Sequence, residues 1–211
     1  MATFRGTPGD DNLIGTTGSD ILLGFGGADT LLGLDGNDLI NGGNGDDFID
    51  GGAGDDLLLG GHATVLNGIF GGPGDDRMFG GPDGTSFFGG SGNDLMVGGN
   101  GTDYFADEEG GNDVEFGRGG NDFMASGSGN DTLFGGTGDD LIVGGGGDDR
   151  LDGGPGEDTA GFDGVLAAFE IERSAHGFEV TETATGDTDL VTNVEFFSFN
   201  DITIPVHDWL I

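Results

Sequence analysis

The chain has 211 residues, with 51 glycines, 40 acidic against 5 basic side chains, and a formal net charge of −35. So acidic a chain lacks the basic footprint that DNA, RNA or an anionic membrane surface requires, and cations are its natural partners. There is no cysteine, which excludes disulfides and thiolate metal sites; no run approaches the ~18 apolar residues of a membrane span, and MATFRGTPGD has no apolar stretch of the kind a secretory leader needs.

From Gly6 the chain divides into nines: GTPGDDNLI, GTTGSDILL, GFGGADTLL, GLDGNDLIN, GGNGDDFID and GGAGDDLLL, ending at Leu59. A block with two extra residues follows, GGHATVLNGIF (Gly60 to Phe70). The nines resume as GGPGDDRMF, GGPDGTSFF, GGSGNDLMV and GGNGTDYFA, and a block with one extra residue, DEEGGNDVEF (Asp107 to Phe116), interrupts them again. GRGGNDFMA, SGSGNDTLF, GGTGDDLIV, GGGGDDRLD and GGPGEDTAG complete seventeen blocks at Gly161. Aspartate holds the sixth place in fifteen of the seventeen, with Asn67 and Thr85 the exceptions, and the eighth place is apolar almost throughout.

Places seven to nine read as a very short strand whose middle side chain points inward, because side chains alternate across a strand. Places one to six read as a turn in which glycine supplies positive φ and close backbone approach. Two blocks then make one coil, and each loop stacks on the loop two blocks later. From Phe162 the pattern stops. Residues 167–173 and 177–183 are predicted strands joined by a turn near 174–176, 185–188 is a turn, and 190–199 is a further strand or a short helix running into one. Solenoid ends need an atypical cap, so residues 1–161 are expected to be the repeat array and 162–211 a capping segment.

The pattern GGxGxDxUx resembles the haemolysin-type RTX (repeats-in-toxin) calcium-binding nonapeptide repeat over about three quarters of the chain. The stretch GDTDLVTNVEFFSFND resembles the cap that follows such arrays in secreted serralysin-type proteases. This resemblance implies an all-β fold, a right-handed parallel β-roll solenoid with a C-terminal β cap. It also implies Ca2+ as the bound metal, in keeping with calcium's preference for six to eight hard oxygens.

By that resemblance one loop supplies carbonyls two and four plus its aspartate, and the loop two blocks on supplies carbonyls one and three plus its own. The sets along one edge are Thr7, Gly9 and Asp11 with Gly24, Gly26 and Asp29; Phe25, Gly27 and Asp29 with Gly42, Asn44 and Asp47; and Gly99, Gly101 and Asp103 with Gly117, Gly119 and Asp122. Two more follow there: Arg118, Gly120 and Asp122 with Gly135, Thr137 and Asp140, then Gly136, Gly138 and Asp140 with Gly153, Pro155 and Asp158. The other edge has Thr16, Gly18 and Asp20 with Gly33, Asp35 and Asp38; Leu34, Gly36 and Asp38 with Gly51, Ala53 and Asp56; and Gly52, Gly54 and Asp56 with Gly71, Pro73 and Asp76. It continues with Gly72, Gly74 and Asp76 against Gly89, Ser91 and Asp94, and ends with Gly127, Gly129 and Asp131 against Gly144, Gly146 and Asp149. Asp113 holds the sixth place of the inserted block. These pairs imply about ten calcium ions or more, and the fifth-place acids read as outer charge.

Local loss of calcium is expected where Asn67 and Thr85 replace aspartate, either as a binding feature around His62, Ala63, Thr64 and Val65 or as a tolerated defect sealed by Phe70, Phe87 and Phe88. At the second break, Asp107, Glu108 and Glu109 offer a cation side chains alone. The ending Asp208-Trp209-Leu210-Ile211, an acid before three apolar residues, resembles the C-terminal signal of type I secretion substrates, which implies a secreted, extracellular protein. The three histidines match no zinc spacing and neither HExxH nor G-x-S-x-G occurs, so no enzyme is expected. A structural or interaction module is the first reading. A calcium-dependent glycan-binding accessory module is the alternative, and apolar residues at places seven and nine offer a face for self-association or for a glycan.

Overall fold

The computed structural model describes residues 1–107 and 109–209. It is all-β, with no α-helix among the described residues, and its strands form two long sheets, one of twelve strands and one of eleven. Strands from alternate blocks lie side by side in parallel. Thr3–Arg5, Ile21–Gly26, Leu39–Asn44 and Leu57–His62 begin one sheet, and Asn12–Ile14, Thr30–Asp35, Phe48–Ala53 and Asn67–Pro73 begin the other. The register advances by two blocks, as in Leu22↔Ile40 and Leu31↔Ile49. The chain is therefore a parallel β-roll.

The insertions do not disturb this register. Leu57 pairs with Arg77 across the first and Met96 with Glu115 across the second, so the extra residues loop out between coils. One expectation needs correcting. Several strands run six or seven residues rather than three, continuing through places one to three of the next block. The glycines there still pair edge to edge, Gly43 with Gly61 and Gly72 with Gly90, because no side chain keeps the stacked backbones apart.

The eighth-place residues form a single file between the two sheets. Leu22, Leu31, Ile40, Ile49, Leu58, Ile69, Met78, Phe87, Met96, Phe105, Met124, Leu133, Ile142, Leu151 and Ala160 are all fully buried. The core is one side chain wide per strand. Burial of such a residue contributes roughly 1.5–3 kcal/mol, while ordering each backbone residue costs roughly 1–2 kcal/mol, so the file alone cannot stabilise blocks of nine.

The capping segment contains a disguised further coil. Residues 190–199, expected as a further strand or a short helix running into one, instead belong to two strands, Thr188–Thr192 and Phe196–Ser198, which continue the two sheets in parallel beside Arg150–Asp152 and Thr159–Gly161. The expected pair of strands is present as Phe169–Arg173 and Phe178–Glu182, an antiparallel hairpin that closes one sheet. Thr203–Pro205 closes the other. Phe162, Phe197 and Phe199, with the rings of Phe169 and Phe178 against them, plug the end of the file.

Candidate metal centre

The sixth-place aspartates line up along the two edges of the roll. Each offers Oδ1 to the backbone amide of the sixth-place residue two blocks earlier: Asp11 N–H donates to Asp29, Asp20 to Asp38, Asp29 to Asp47 and Asp38 to Asp56, at 2.6–2.9 Å. The ladder begins at Ala2, which donates to Asp20, and ends on cap residues, where Asp149 and Asp158 donate to Asp189 and Glu195. The other oxygen has a different fate. Oδ2 of Asp29, Asp38, Asp47, Asp56, Asp76, Asp94, Asp113, Asp122, Asp131, Asp140, Asp149 and Asp158 is buried with no hydrogen-bond partner. A buried ionised carboxylate with one oxygen unpaired costs several kcal/mol unless something positive meets it. Burial accordingly pushes Asp56, Asp76, Asp113, Asp122 and Asp131 up to about 7, and Asp47, Asp94 and Asp158 up to about 6.

These orphaned oxygens face the glycine turns. At the first-place glycines Gly24, Gly33, Gly42, Gly51, Gly71, Gly117 and Gly135, a Cβ would lie under 3.0 Å both from the block's own Asp Oδ2 and from the first-place carbonyl two blocks on. At Gly71 those atoms are Asp76 Oδ2 and Gly89 O. The third-place carbonyls of Asn44, Ala53, Pro73, Ser91, Thr137, Gly146 and Pro155 each accept one amide hydrogen bond of 2.7–3.1 Å from the fourth-place residue of the loop before, which leaves a second lone pair. Second- and fourth-place carbonyls rise toward the loop two blocks on. Leu34 O points at Gly52, where φ is +97° and any Cβ would strike that oxygen. A pocket of converging carboxylate and carbonyl oxygens without a donor suits a hard cation of calcium's kind. The residues present fit that ion.

A family model of the RTX calcium-binding nonapeptide repeat matches the chain in four copies, over residues 5–40, 32–61, 69–84 and 125–160. The chain belongs to the RTX calcium-binding nonapeptide-repeat family. RTX repeats bind calcium, and here they form a structural repeat module. No curated protein sequence matches the chain.

The RTX loops are not all alike. In the first two blocks the second-place threonine turns onto the aspartate: Thr7 and Thr16 donate both N–H and Oγ1–H to Oδ2 of Asp11 and Asp20, at 2.5–3.0 Å. The Thr16 hydroxyl holds Asp20 below the usual carboxylate range. Asp103 Oδ2 likewise accepts the Gly99 amide at 2.7 Å. At the first break Asn67 keeps the ladder with its amide oxygen, accepting from Asp47 N–H at 2.9 Å, but brings no charge, and Thr85 Oγ1 is buried without a partner. The extra residues there are clamped by Asp46, which accepts from the amides of Thr64, Val65 and Leu66 and from the Thr64 hydroxyl and is held down at about 2. Phe87 lies inside the file, whereas Phe70 and Phe88 stack at 4.5 Å on the outer face.

Three features escaped the sequence reading. Fifth-place side chains are acceptors in a second ladder that runs the opposite way. Ala28 N–H donates to Asp10, Asp75 to Asp55, Asn93 to Asp75 and Asp148 to Asn130. The signal was the run of Asp and Asn at that place. Glu115 stands at the eighth place of the inserted block, fully buried between Met96 and Leu133, with Oε1 accepting from Ser126 Oγ at 3.0 Å and Oε2 unpaired; burial pushes it up to about 8. The phenylalanines that look scattered in the sequence are aligned. Phe48, Phe70, Phe88, Tyr104 and Phe123 follow one another along the outer face of one sheet at centroid spacings of 4.5–6.5 Å.

Proposed function

We propose that this chain is a secreted RTX protein that folds when calcium fills its loops and then serves as a rigid structural and interaction module, without catalysis of its own. The observation that supports this most is the double column of buried aspartate oxygens left without a donor beside a core one residue wide. Metal binding then becomes folding free energy. The ligands are the loop pairs named from the sequence, about ten ions in all. In a chelator the far-UV circular dichroism is expected to be coil-like, and millimolar calcium to convert it to β, with calorimetry counting the ions. A full β signal in the chelator would defeat the reading.

Export is assigned to Asp208-Trp209-Leu210-Ile211, of which Leu210 and Ile211 lie outside the described residues. Deleting the four is expected to leave the protein inside the producing cell, and unchanged export would exclude them as the signal. A calcium-dependent glycan-binding module is the second reading, favoured by the outer aromatic row. Against it, the rings of Phe70 and Phe88, and of Tyr104 and Phe123, stack nearly parallel on one another, so their faces are not free for a sugar. Binding to a glycan array in millimolar calcium would reverse the ranking.

A further inference from the structure

The inserted block Asp107–Phe116 lies in the stretch between residues 84 and 125 that the RTX repeat model leaves unmatched. Its first place carries Asp107 instead of glycine, so the carbonyl-type cradle is altered there. We propose that the block retains a cation site of a different make, in which the side chains of Asp94, Asp107 and Asp113 hold one calcium ion and the Asp107 carboxylate stands where the regular loops use a backbone carbonyl. One carboxylate oxygen from each of the three lies within 4.8 Å of the others, and all three residues are buried. Calcium–oxygen distances of about 2.3–2.6 Å place ligands on opposite sides of one ion roughly 5 Å apart, so this separation fits a single ion.

The substitution of one oxygen for another is visible at Gly89, the glycine that begins the block two earlier, on the same edge. At Gly71 the cradle is made by Asp76 Oδ2 and Gly89 O. At Gly89 the two oxygens that a Cβ would meet under 3.0 Å are Asp107 Oδ2 and Asp94 Oδ2. Asp107 reaches this position because Oδ1 is tied to the Glu109 amide at 3.3 Å and its own amide to Ala125 O at 2.8 Å. Oδ2 then points into the cradle, buried and without a partner. Asp94 and Asp113 remain linked by the usual amide-to-Oδ1 bond of 2.7 Å. The site thus keeps both of its regular carboxylates and gains a third. Affinity in oxygen-ligand sites rises with the number of charged ligands and with rigidity, so this site fills at lower free calcium than its neighbours.

The inference rests on the roll binding calcium in its regular loops, and the test separates the two. Tyr104 is the chain's single tyrosine and shares a cavity of about 520 Å³ with Asp107, so it can sensitise terbium bound there. In full-length protein carrying Trp209→Phe, terbium emission excited through Tyr104 should saturate before calcium-monitored folding is complete. Asp107→Asn should weaken that signal about tenfold or more, and Asp107→Gly, which restores the repeat's own glycine, should do the same in a chain that folds as a regular RTX roll. Asp149→Asn, near the cap on the same edge, should lower ion stoichiometry and leave the Tyr104-sensitised signal in place. Unchanged emission and affinity in Asp107→Gly would overturn the proposal. Absence of calcium binding by the unaltered chain would bring down the roll-wide reading and this site with it.

Discussion

Protons should be able to do part of calcium's work in this roll. Asp76 has an ordinary carboxylate value of 3.8 and is pushed up by burial to about 7. Its folded-state value lies above its unfolded one, so between about pH 4 and 7 the folded form holds a proton that the unfolded form has released. Its contribution is therefore full at low pH and lost as pH rises through 7, the reverse of an aspartate in a salt bridge. Three pH units at 1.4 kcal/mol each make this about 4 kcal/mol for one such group. Asp56, Asp113, Asp122, Asp131 and Asp189 are also raised to about 7. They titrate together rather than independently, yet even a few of them match the ~5–15 kcal/mol that separates folded from unfolded domains. The perturbation is acidification in a chelator from pH 8 to pH 4, followed by far-UV circular dichroism and small-angle scattering. The expected result is a coil that compacts and gains β signal as pH falls below about 6, and expands again on return. Calcium added along the same series should bind more weakly as pH falls, because it competes with the same protons. A chain that stays coil-like down to pH 4, while still folding with calcium at pH 7.5, would refute the argument that desolvated carboxylates are what opposes folding.

Two substitutions test the core and the cradle. Glu115→Leu combined with Ser126→Gly, which removes the hydroxyl that would lose its partner, should raise calcium-saturated stability by about 3 kcal/mol, since an apolar residue replaces a carboxyl held far above its normal range; a drop in the denaturant midpoint would show that Glu115 holds something the apolar file cannot. Gly71→Ala places a Cβ between Asp76 Oδ2 and Gly89 O and should cost one bound ion by calorimetry and lower the melting temperature, whereas Gly146→Ala, with nothing within 4 Å, should change neither; equal behaviour of the two alanines would remove the cradle as the ion's position.

The period of nine, the aspartate column and the apolar file were all legible in the sequence, because each depends on a residue type recurring at a fixed place. What stayed hidden depends on irregularity. Thr3–Arg5 forms a strand ahead of the run of nines that is counted from Gly6, so the repeat pattern does not announce it. The terminal coil is disguised because its loop shrinks to Asn193–Glu195 between Thr188–Thr192 and Phe196–Ser198, with a hairpin inserted ahead of it. Glu115 is masked by the extra residue in its block, which shifts the place that would have flagged an acid among apolar neighbours. The aromatic row escapes notice because its rings come from the seventh place in Phe48, Tyr104 and Phe123 and from the ninth in Phe70 and Phe88, and only the pleated sheet brings them onto one face. Asp107 was legible as a side chain on offer to a cation but not by its place in the cradle, since it substitutes there for a main-chain atom that has no letter in the sequence.

The two polar ladders give the rod a direction as well as a length. Sixth-place amides reach toward the cap and fifth-place amides reach back toward the start, so each loop is bolted to both of its neighbours by different atoms. An added or removed pair of blocks leaves every remaining bolt with its proper mate, whereas a single block would carry every later strand to the opposite sheet. Such a chain can grow or shrink through evolution only by whole coils, and an engineer who wants a longer or shorter spacer should cut it in steps of eighteen.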